Sequence, residues 1–84
     1  MNINYLIVED EEITATMLQI LISKLRPDYK MIGLTSSISE TVDFLQTTVP
    51  DLIFLDIELT DGNCFEIFKR HKIDKPVIFT TAYN

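Results

Sequence analysis

Acidic side chains stand directly after two of the most apolar segments of the chain. Glu9 and Asp10 follow the run 3–8, and Asp56 ends the run 51–56. Both runs are predicted to be strands covered on both faces, because they are apolar almost throughout. In a parallel α/β sheet, ligands bind beyond the carboxyl ends of the strands, near the switch point of strand order. If these two strands are neighbours, roughly 4.8 Å apart, their terminal carboxylates converge.

Three carboxylates at one place repel each other, so either their pKa values rise or a cation binds among them. A set of hard oxygen ligands favours Mg²⁺ over zinc or copper. A bound Mg²⁺ keeps open water positions, which a phosphoryl group can occupy. The alternative for the acidic run 9–12 is a solvated helix start, and this alternative weakens once Asp56 is placed at the same edge of the sheet.

Length and composition restrict the class of protein. The 84 residues allow one domain, and 46% apolar with 24% charged residues suffice for a core. The net charge of -6 speaks against nucleic-acid binding by this segment and suits a cation or a basic partner surface. The single cysteine, Cys64, excludes an internal disulfide framework and a Cys-rich zinc site. The sequence has no apolar run near the roughly 20 residues of a membrane span, and residues 1–4 lack a basic signal-peptide start, which predicts a cytoplasmic protein.

Strand and helix patterns alternate in the order β-α-β-α-β-α-β, which implies a parallel sheet with right-handed crossovers. The predicted strands cover residues 3–8, 29–34, 51–56 and 77–80. The second strand is expected at an edge of the sheet, because it contains Lys30 and Gly33. The predicted fold is therefore a doubly wound α/β sheet in one domain, residues 1–84.

Two of the connecting helices have clear sequence signals. The first follows the acidic run and ends at Pro27. Its apolar stripe, which is expected to face the core, consists of Ile13, Met17, Ile20, Leu21 and Leu25. The second helix begins with a capping box from Ser37 to Glu40 and ends at Pro50.

The third helix follows the turn 59–62, where a glycine can take a positive φ at little cost. It is predicted from Phe65 to about Arg70, and Asp61 or Asn63 is placed to cap it. The phenylalanines are predicted to belong to the core: Phe44, Phe54, Phe65, Phe68 and Phe79.

Three blocks of the sequence resemble the receiver domains of two-component response regulators. They are residues 6–11, 51–57 and 76–82, in the right order and at the right spacing. The stretch 56–65 and the ending 80–83 look most like receivers attached to LytTR-type DNA-binding domains. The resemblance covers the whole chain but only about the first two thirds of a receiver domain. It implies a flavodoxin-like sheet of strand order 2-1-3-4, without the family's fifth strand and last helices.

The resemblance also implies a role for each residue of the site. Asp56 would accept a phosphoryl group from the phosphohistidine of a sensor histidine kinase. Glu9, Asp10 and Asp56 would hold Mg²⁺ together with the backbone carbonyl of Glu58. Thr81 would hydrogen-bond a phosphoryl oxygen and report its arrival. The added charge would then switch an attached output, expected to be a DNA-binding transcription regulator, so the chain would be a signalling domain and not a conventional enzyme.

The sequence departs from the family pattern at two places. Thr60 stands where receivers usually have a proline, and the turn after Asp56 is shorter by a residue or so. The chain also ends after the fourth strand, so the family's phosphoryl-binding lysine and switch aromatic lie outside it, and Lys75 stands at the wrong end of that strand to replace the lysine. A truncated domain of this kind is expected to expose a sheet edge, and therefore to form a homodimer, to swap strands or to be unstable alone.

Two other functions stay open at this stage. Residues 53–60 superficially resemble the first motif of haloacid-dehalogenase-type phosphatases, with Asp56 as the nucleophile. That family has an aspartate where this chain has Glu58, and the comparison leaves Glu9 and Asp10 without a role. The other alternative is a pseudo-receiver that only contacts other proteins. Substitution of Glu9 or Asp10 separates receiver from phosphatase, since only a receiver should lose its Mg²⁺ dependence.

Overall fold

A computed structural model describes residues 2–80 of the chain. The elements are, in order, β1 (Ile3–Val8), α1 (Glu12–Leu25), β2 (Tyr29–Thr35), α2 (Ile38–Thr47), β3 (Leu52–Asp56), β4 (Glu58–Leu59), β5 (Gly62–Asn63), α3 (Phe65–Arg70) and β6 (Val77–Thr80). One parallel sheet has the order β2-β1-β3-β6, and β4 and β5 form a separate antiparallel hairpin. The predicted order 2-1-3-4 is therefore confirmed, with β6 as its fourth strand. The hairpin occupies the segment predicted only as a turn.

The central strand β1 sends alternate side chains into two cores. Leu6 and Val8 pack on the side of α2 and α3, whereas Tyr5 and Ile7 pack on the side of α1. All four side chains are buried. Side chains of a strand point to opposite faces in turn, so a strand covered on both faces reads as a continuous apolar run. This double burial fixes the strand that leads directly into Glu9.

Helix α1 turns a different face to the sheet from the predicted one. Ala15, Leu18 and Ile22 contact the core beneath the helix. The predicted stripe is exposed, from 49% at Ile20 to 72% at Ile13. That prediction was wrong because the helix carries apolar residues on more than one side, and both sets satisfy the helical spacing. Among the helices described between residues 2 and 80, none has the length and apolar character that a membrane crossing requires.

The phenylalanines are only partly in the core. Phe44, Phe54 and Phe68 are partly buried and pack against one of the two cores. Phe65 and Phe79, also predicted as core, are about half exposed and form an aromatic cluster with Phe68. Phe79 lies on β6, which is an edge strand of the described sheet, and the Phe65 ring at the start of α3 lies beside it, with 5.9 Å between the ring centroids.

Gly33 allows α2 to lie close against strand β2. A Cβ atom on Gly33 would lie 2.5 Å from Cε2 of Phe44 and 3.2 Å from Cδ1 of Leu6. Real Cβ atoms do not approach other atoms so closely, so any larger residue must displace the Phe44 ring or the strand. The position of β2 at the edge of the sheet, predicted from Lys30 and Gly33, is confirmed.

We expect Gly33→Ala to lower the free energy of unfolding by about 1–3 kcal/mol, because overpacking forces side chains or backbone to move. The matched control is Lys30→Ala on the exposed part of the same strand, which should change stability by no more than about 0.5 kcal/mol. Urea unfolding followed by circular dichroism measures both variants. Equal stability of Gly33→Ala and the unchanged chain would contradict the close packing of Phe44 on β2.

Candidate metal centre at the carboxyl ends of β1 and β3

Glu9, Asp10 and Asp56 lie together at the carboxyl edge of the sheet. Strands β1 and β3 pair in parallel, with Val8 opposite Leu55, so the residues that end each strand emerge side by side. One carboxylate oxygen from each of the three residues lies within 4.8 Å of the others. Glu9 and Asp56 are buried, each with 8% exposure, whereas Asp10 is exposed. The three acids thus form one cluster that opens to solvent on one side.

The protonation of Glu9 responds most strongly to this arrangement. Burial raises the pKa of Glu9 to about 7, and the negative charge of Asp56 adds to the increase. The backbone N–H of Glu11, which donates to Oε2 of Glu9 at 3.1 Å, acts in the opposite direction. Without a cation, Glu9 therefore holds a proton for part of the time near neutral pH. A divalent cation among these oxygens would favour the ionised form instead.

The acids and the start of the hairpin line one open cleft. Glu58, two residues after Asp56, lies in its wall together with Ile57, and Thr14 of α1 lies on another side. The Thr14 hydroxyl donates a hydrogen bond to the Glu11 carboxylate. Thr81, the remaining residue to which the family resemblance gives a role, lies outside the described residues.

The cluster has the donor atoms that Mg²⁺ prefers. Its charged ligands are all carboxylate oxygens, which suit a hard divalent cation. Within residues 2–80, the ion pairs join Glu66 to Lys69 and to Arg70, so no basic side chain in that range neutralises the cluster. The residues therefore fit a bound Mg²⁺, with Glu9, Asp10 and Asp56 as its holders.

The segment that follows Asp56 is held by two side chains, one predicted and one not. Oδ1 of Asn63 accepts the backbone N–H of Phe65 at 2.9 Å at the start of α3, as the sequence suggested. Asp61, the other residue placed to cap α3, caps α2 instead and accepts the N–H groups of Ile38 and Ser39. Sequence reasoning missed this contact because Ile38 precedes Asp61 by 23 residues. Local capping patterns reveal only neighbours within a few residues.

Residues 5–84 of this chain match the family model described as "Response regulator receiver domain". The chain belongs to this family. "Sensory transduction protein LytT" of Bacillus cereus is 33% identical over 82 residues, and the protein of the same name from Enterococcus faecalis is 34% identical over 82 residues. These alignments cover 94% of this chain but only 33% and 34% of the relatives, so this chain spans about a third of their length.

Solved structures agree with the family assignment. The "MaeR response regulator bound to beryllium trifluoride" is 30% identical with a TM-score of 0.83, and the match covers 100% of this chain and 70% of that one. The REC domain of the Erythrobacter litoralis PhyR response regulator is 29% identical with a TM-score of 0.81, and covers 98% and 64%. The predicted flavodoxin-like receiver fold is confirmed. The alternative of a phosphatase fragment is set aside.

The metal-free receiver domain should lose stability as the pH rises because of Glu9. Its folded-state pKa of about 7 lies above the ordinary value of 4.5, so the folded state binds the proton more tightly than the unfolded state. The stabilising contribution is complete below the unfolded-state pKa and is lost as the pH rises through about 7. Glu9→Gln removes this ionisation, so we expect it to be more stable than the unchanged chain at pH 8 by about 1–3 kcal/mol.

Urea unfolding in the presence of EDTA, repeated between pH 5 and 8, measures this difference. The gap between Glu9→Gln and the unchanged chain should shrink as the pH falls, because both then carry a neutral group. Saturating Mg²⁺ at pH 8 should favour the unchanged chain, since the cation needs the ionised carboxylate. Identical pH dependence of the two proteins would contradict the raised pKa of Glu9.

Proposed function

We propose that this receiver domain accepts a phosphoryl group on Asp56 with the help of Mg²⁺ and thereby switches an attached output. The observation that carries the proposal is the cluster of Glu9, Asp10 and Asp56, in a chain of the receiver family. The cleft beside the cluster is open, which gives a phosphorylated donor access to Asp56. A receiver domain is a signalling module, so the proposed chemistry changes the state of the domain itself.

Asp56 acts as the nucleophile in this proposal. One of its carboxylate oxygens forms a bond to phosphorus while the bond from phosphorus to the donor breaks, and the donor departs with that electron pair. Glu9, Asp10 and the backbone carbonyl of Glu58 would hold the cation together with Asp56. When bound, Mg²⁺ supplies neutralisation of the charge that gathers on the phosphoryl oxygens. Thr81 is proposed as the side chain that contacts a phosphoryl oxygen.

The proposed partners follow from the family. A sensor histidine kinase would supply the phosphoryl group from its phosphohistidine, and a LytTR-type DNA-binding domain would be the output. The names of the relatives support a role in sensory transduction. The net charge of -6 supports the proposal that DNA contact is left to another domain. A cytoplasmic location, and association as a homodimer or by strand swapping, stay predictions.

Incubation with acetyl phosphate and Mg²⁺, followed by intact-mass measurement, tests the proposal. We expect one phosphoryl adduct that requires Mg²⁺ and disappears in Asp56→Asn. The matched control is Asp51→Asn, at the opposite end of the same strand segment, where the carboxylate accepts the N–H of Asn4 at 2.9 Å. This variant should keep the adduct. The measurement is made on the 84-residue chain and on the whole gene product.

The other outcomes separate the competing functions. An adduct that survives Asp56→Asn would place the acceptor at another residue and contradict the proposal. An adduct on neither protein would favour a pseudo-receiver that only makes protein contacts. In Glu9→Gln and Asp10→Asn we expect adduct formation to lose its Mg²⁺ dependence, because each substitution removes a charged ligand.

A further inference from the structure

The carboxylate of Asp61 joins the turn after Asp56 to the first turn of α2. Asp61 lies between β4 and β5, and its two oxygens accept the backbone N–H groups of Ile38 at 2.8 Å and Ser39 at 3.2 Å. The first N–H groups of a helix have no partner within the helix, and the positive end of the helix dipole favours an anionic acceptor. These contacts, the bond from Ile38 foremost, hold the pKa of the Asp61 carboxyl below its usual value.

Helix α2 already has a cap of its own. Oγ of Ser37 accepts the backbone N–H of Glu40 at 3.1 Å, as the predicted capping box requires. The Glu40 carboxylate reaches back to the N–H of Ser36 at 2.6 Å, one residue further than predicted. Asp61 therefore adds an anchor that belongs to a distant segment. Its consequence is that the position of the turn depends on the position of α2.

The turn also packs against the side chain of α2 residue Ile38. Strands β4 and β5 have two residues each, so the hairpin has little rigidity of its own. Leu59 is buried in the same core as Ile38. Gly62 has a φ of 141°, and a Cβ built on it would lie 3.1 Å from Cδ1 of Ile38. Glu58 lies in the short stretch between this anchored turn and Asp56.

The same end of α2 is also linked to Glu9, through Thr35 at the end of β2. The backbone N–H of Glu9 donates to the carbonyl of Thr35 at 2.9 Å, at the end of β2. The Thr35 and Thr41 hydroxyl oxygens are 2.7 Å apart, and Thr41 donates to the carbonyl of Ser37 at 2.7 Å. Because the Thr41 hydroxyl donates its one hydrogen to the Ser37 carbonyl, it can only accept from Thr35. The Thr35 hydroxyl is therefore the donor to Thr41. The start of α2 thus connects the Glu9 side of the cluster with the Asp56 side.

We propose that Asp61 is a positioning residue for the divalent-cation site, because it clamps the turn after Asp56 to the start of α2, which Thr35 links to Glu9. The inference rests on the proposed function, since it concerns the same cluster. Asp61 touches neither the cation nor the phosphoryl group in this role. It sets where the backbone of Glu58 and the Asp56 carboxylate stand relative to Glu9 before a cation arrives.

Titration calorimetry with Mg²⁺ on the full chain at pH 7.5 tests this role. We expect Asp61→Ala to raise the Kd for Mg²⁺ about tenfold, the lower end of the effect of residues that orient metal ligands. Asp61→Asn loses the charge but keeps an oxygen that can accept the Ile38 N–H, so its Kd should rise by no more than about threefold. Ser37→Ala weakens the same helix terminus but leaves the clamp, so its Kd should stay within about twofold of the unchanged chain.

Urea unfolding of the same variants provides the second readout. Ser37→Ala and Asp61→Ala should both lower the unfolding midpoint, while only Asp61→Ala weakens Mg²⁺ binding. At saturating Mg²⁺, adduct formation from acetyl phosphate in Asp61→Ala should return to within about threefold of the unchanged chain, because the cation then restores the arrangement. If Asp61→Ala does not fold, Asp61→Ser replaces it, since serine suits a turn but its shorter side chain falls short of α2.

Three results would overturn the positioning role. Asp61→Ala could bind Mg²⁺ as tightly as the unchanged chain, which would show that the clamp constrains nothing at the site. Asp61→Asn could match Asp61→Ala, which would assign the effect to charge. Ser37→Ala could weaken binding equally, which would assign it to helix stability. Failure of the unchanged chain to bind Mg²⁺ would instead defeat the proposed function, and the positioning role with it.

Discussion

The rest of the structure must hold Glu9, Asp10 and Asp56 together against their mutual electrostatic repulsion. Their oxygens lie within 4.8 Å of one another, a separation at which ionised groups repel even when solvent screens them partly. Such a cluster persists only if the packing and hydrogen bonds around it outweigh the repulsion. Burial raises the pKa of Glu9, and the negative charge of Asp56 raises it further.

The supports come from packing on both faces of the two strands that carry the acids. Leu6 and Val8 of β1 share a core with Ile53 and Leu55 of β3, so packing as well as pairing holds the two strands together. Tyr5 and Ile7 fill the opposite core, which holds α1 against the sheet. Hydrogen bonds then take over where the strands end, because residues beyond a sheet have no ladder. The bond from Glu9 to Thr35 and the clamp from Asp61 to α2 serve this purpose.

The sequence was sufficient to predict the features that depend on contacts between near neighbours in the chain or on a repeating pattern of residue types. A strand that is buried on both faces has a continuous apolar sequence, so β1 and β3 could be predicted from the sequence. The acids at the ends of these two strands could then be predicted to lie close together. The choice of core face on α1 could not be made, because Ala15, Leu18 and Ile22 compete with a second apolar set at the same spacing. The hairpin of β4 and β5 has strands too short to show alternation.

The role of Asp61 was hidden for a different reason. Asp and Asn side chains in a turn usually hydrogen-bond to backbone groups about two residues away, as Asn63 does at the start of α3. Asp61 acts on a helix 23 residues upstream, a relation that only the folded chain creates. The half-exposed Phe65 and Phe79 were misplaced for a related reason, since their burial depends on where the sheet has an edge. Residues at a site are thus easier to find from sequence than the residues that hold the site in shape.

The single thiol of the chain, that of Cys64, is not part of the carboxylate cluster. Its side chain is fully buried, and its backbone N–H donates to the carbonyl of Ile57 at 2.8 Å. Burial raises the pKa of the Cys64 thiol, and the negative charges of Asp56 and Glu58 raise it further. The nucleophile and metal ligand is the thiolate, so a thiol kept neutral competes neither for a cation nor for a phosphoryl group. Burial, with a smaller contribution from these acids, therefore keeps the thiol neutral. The donor set of the cluster consists of carboxylate oxygens alone.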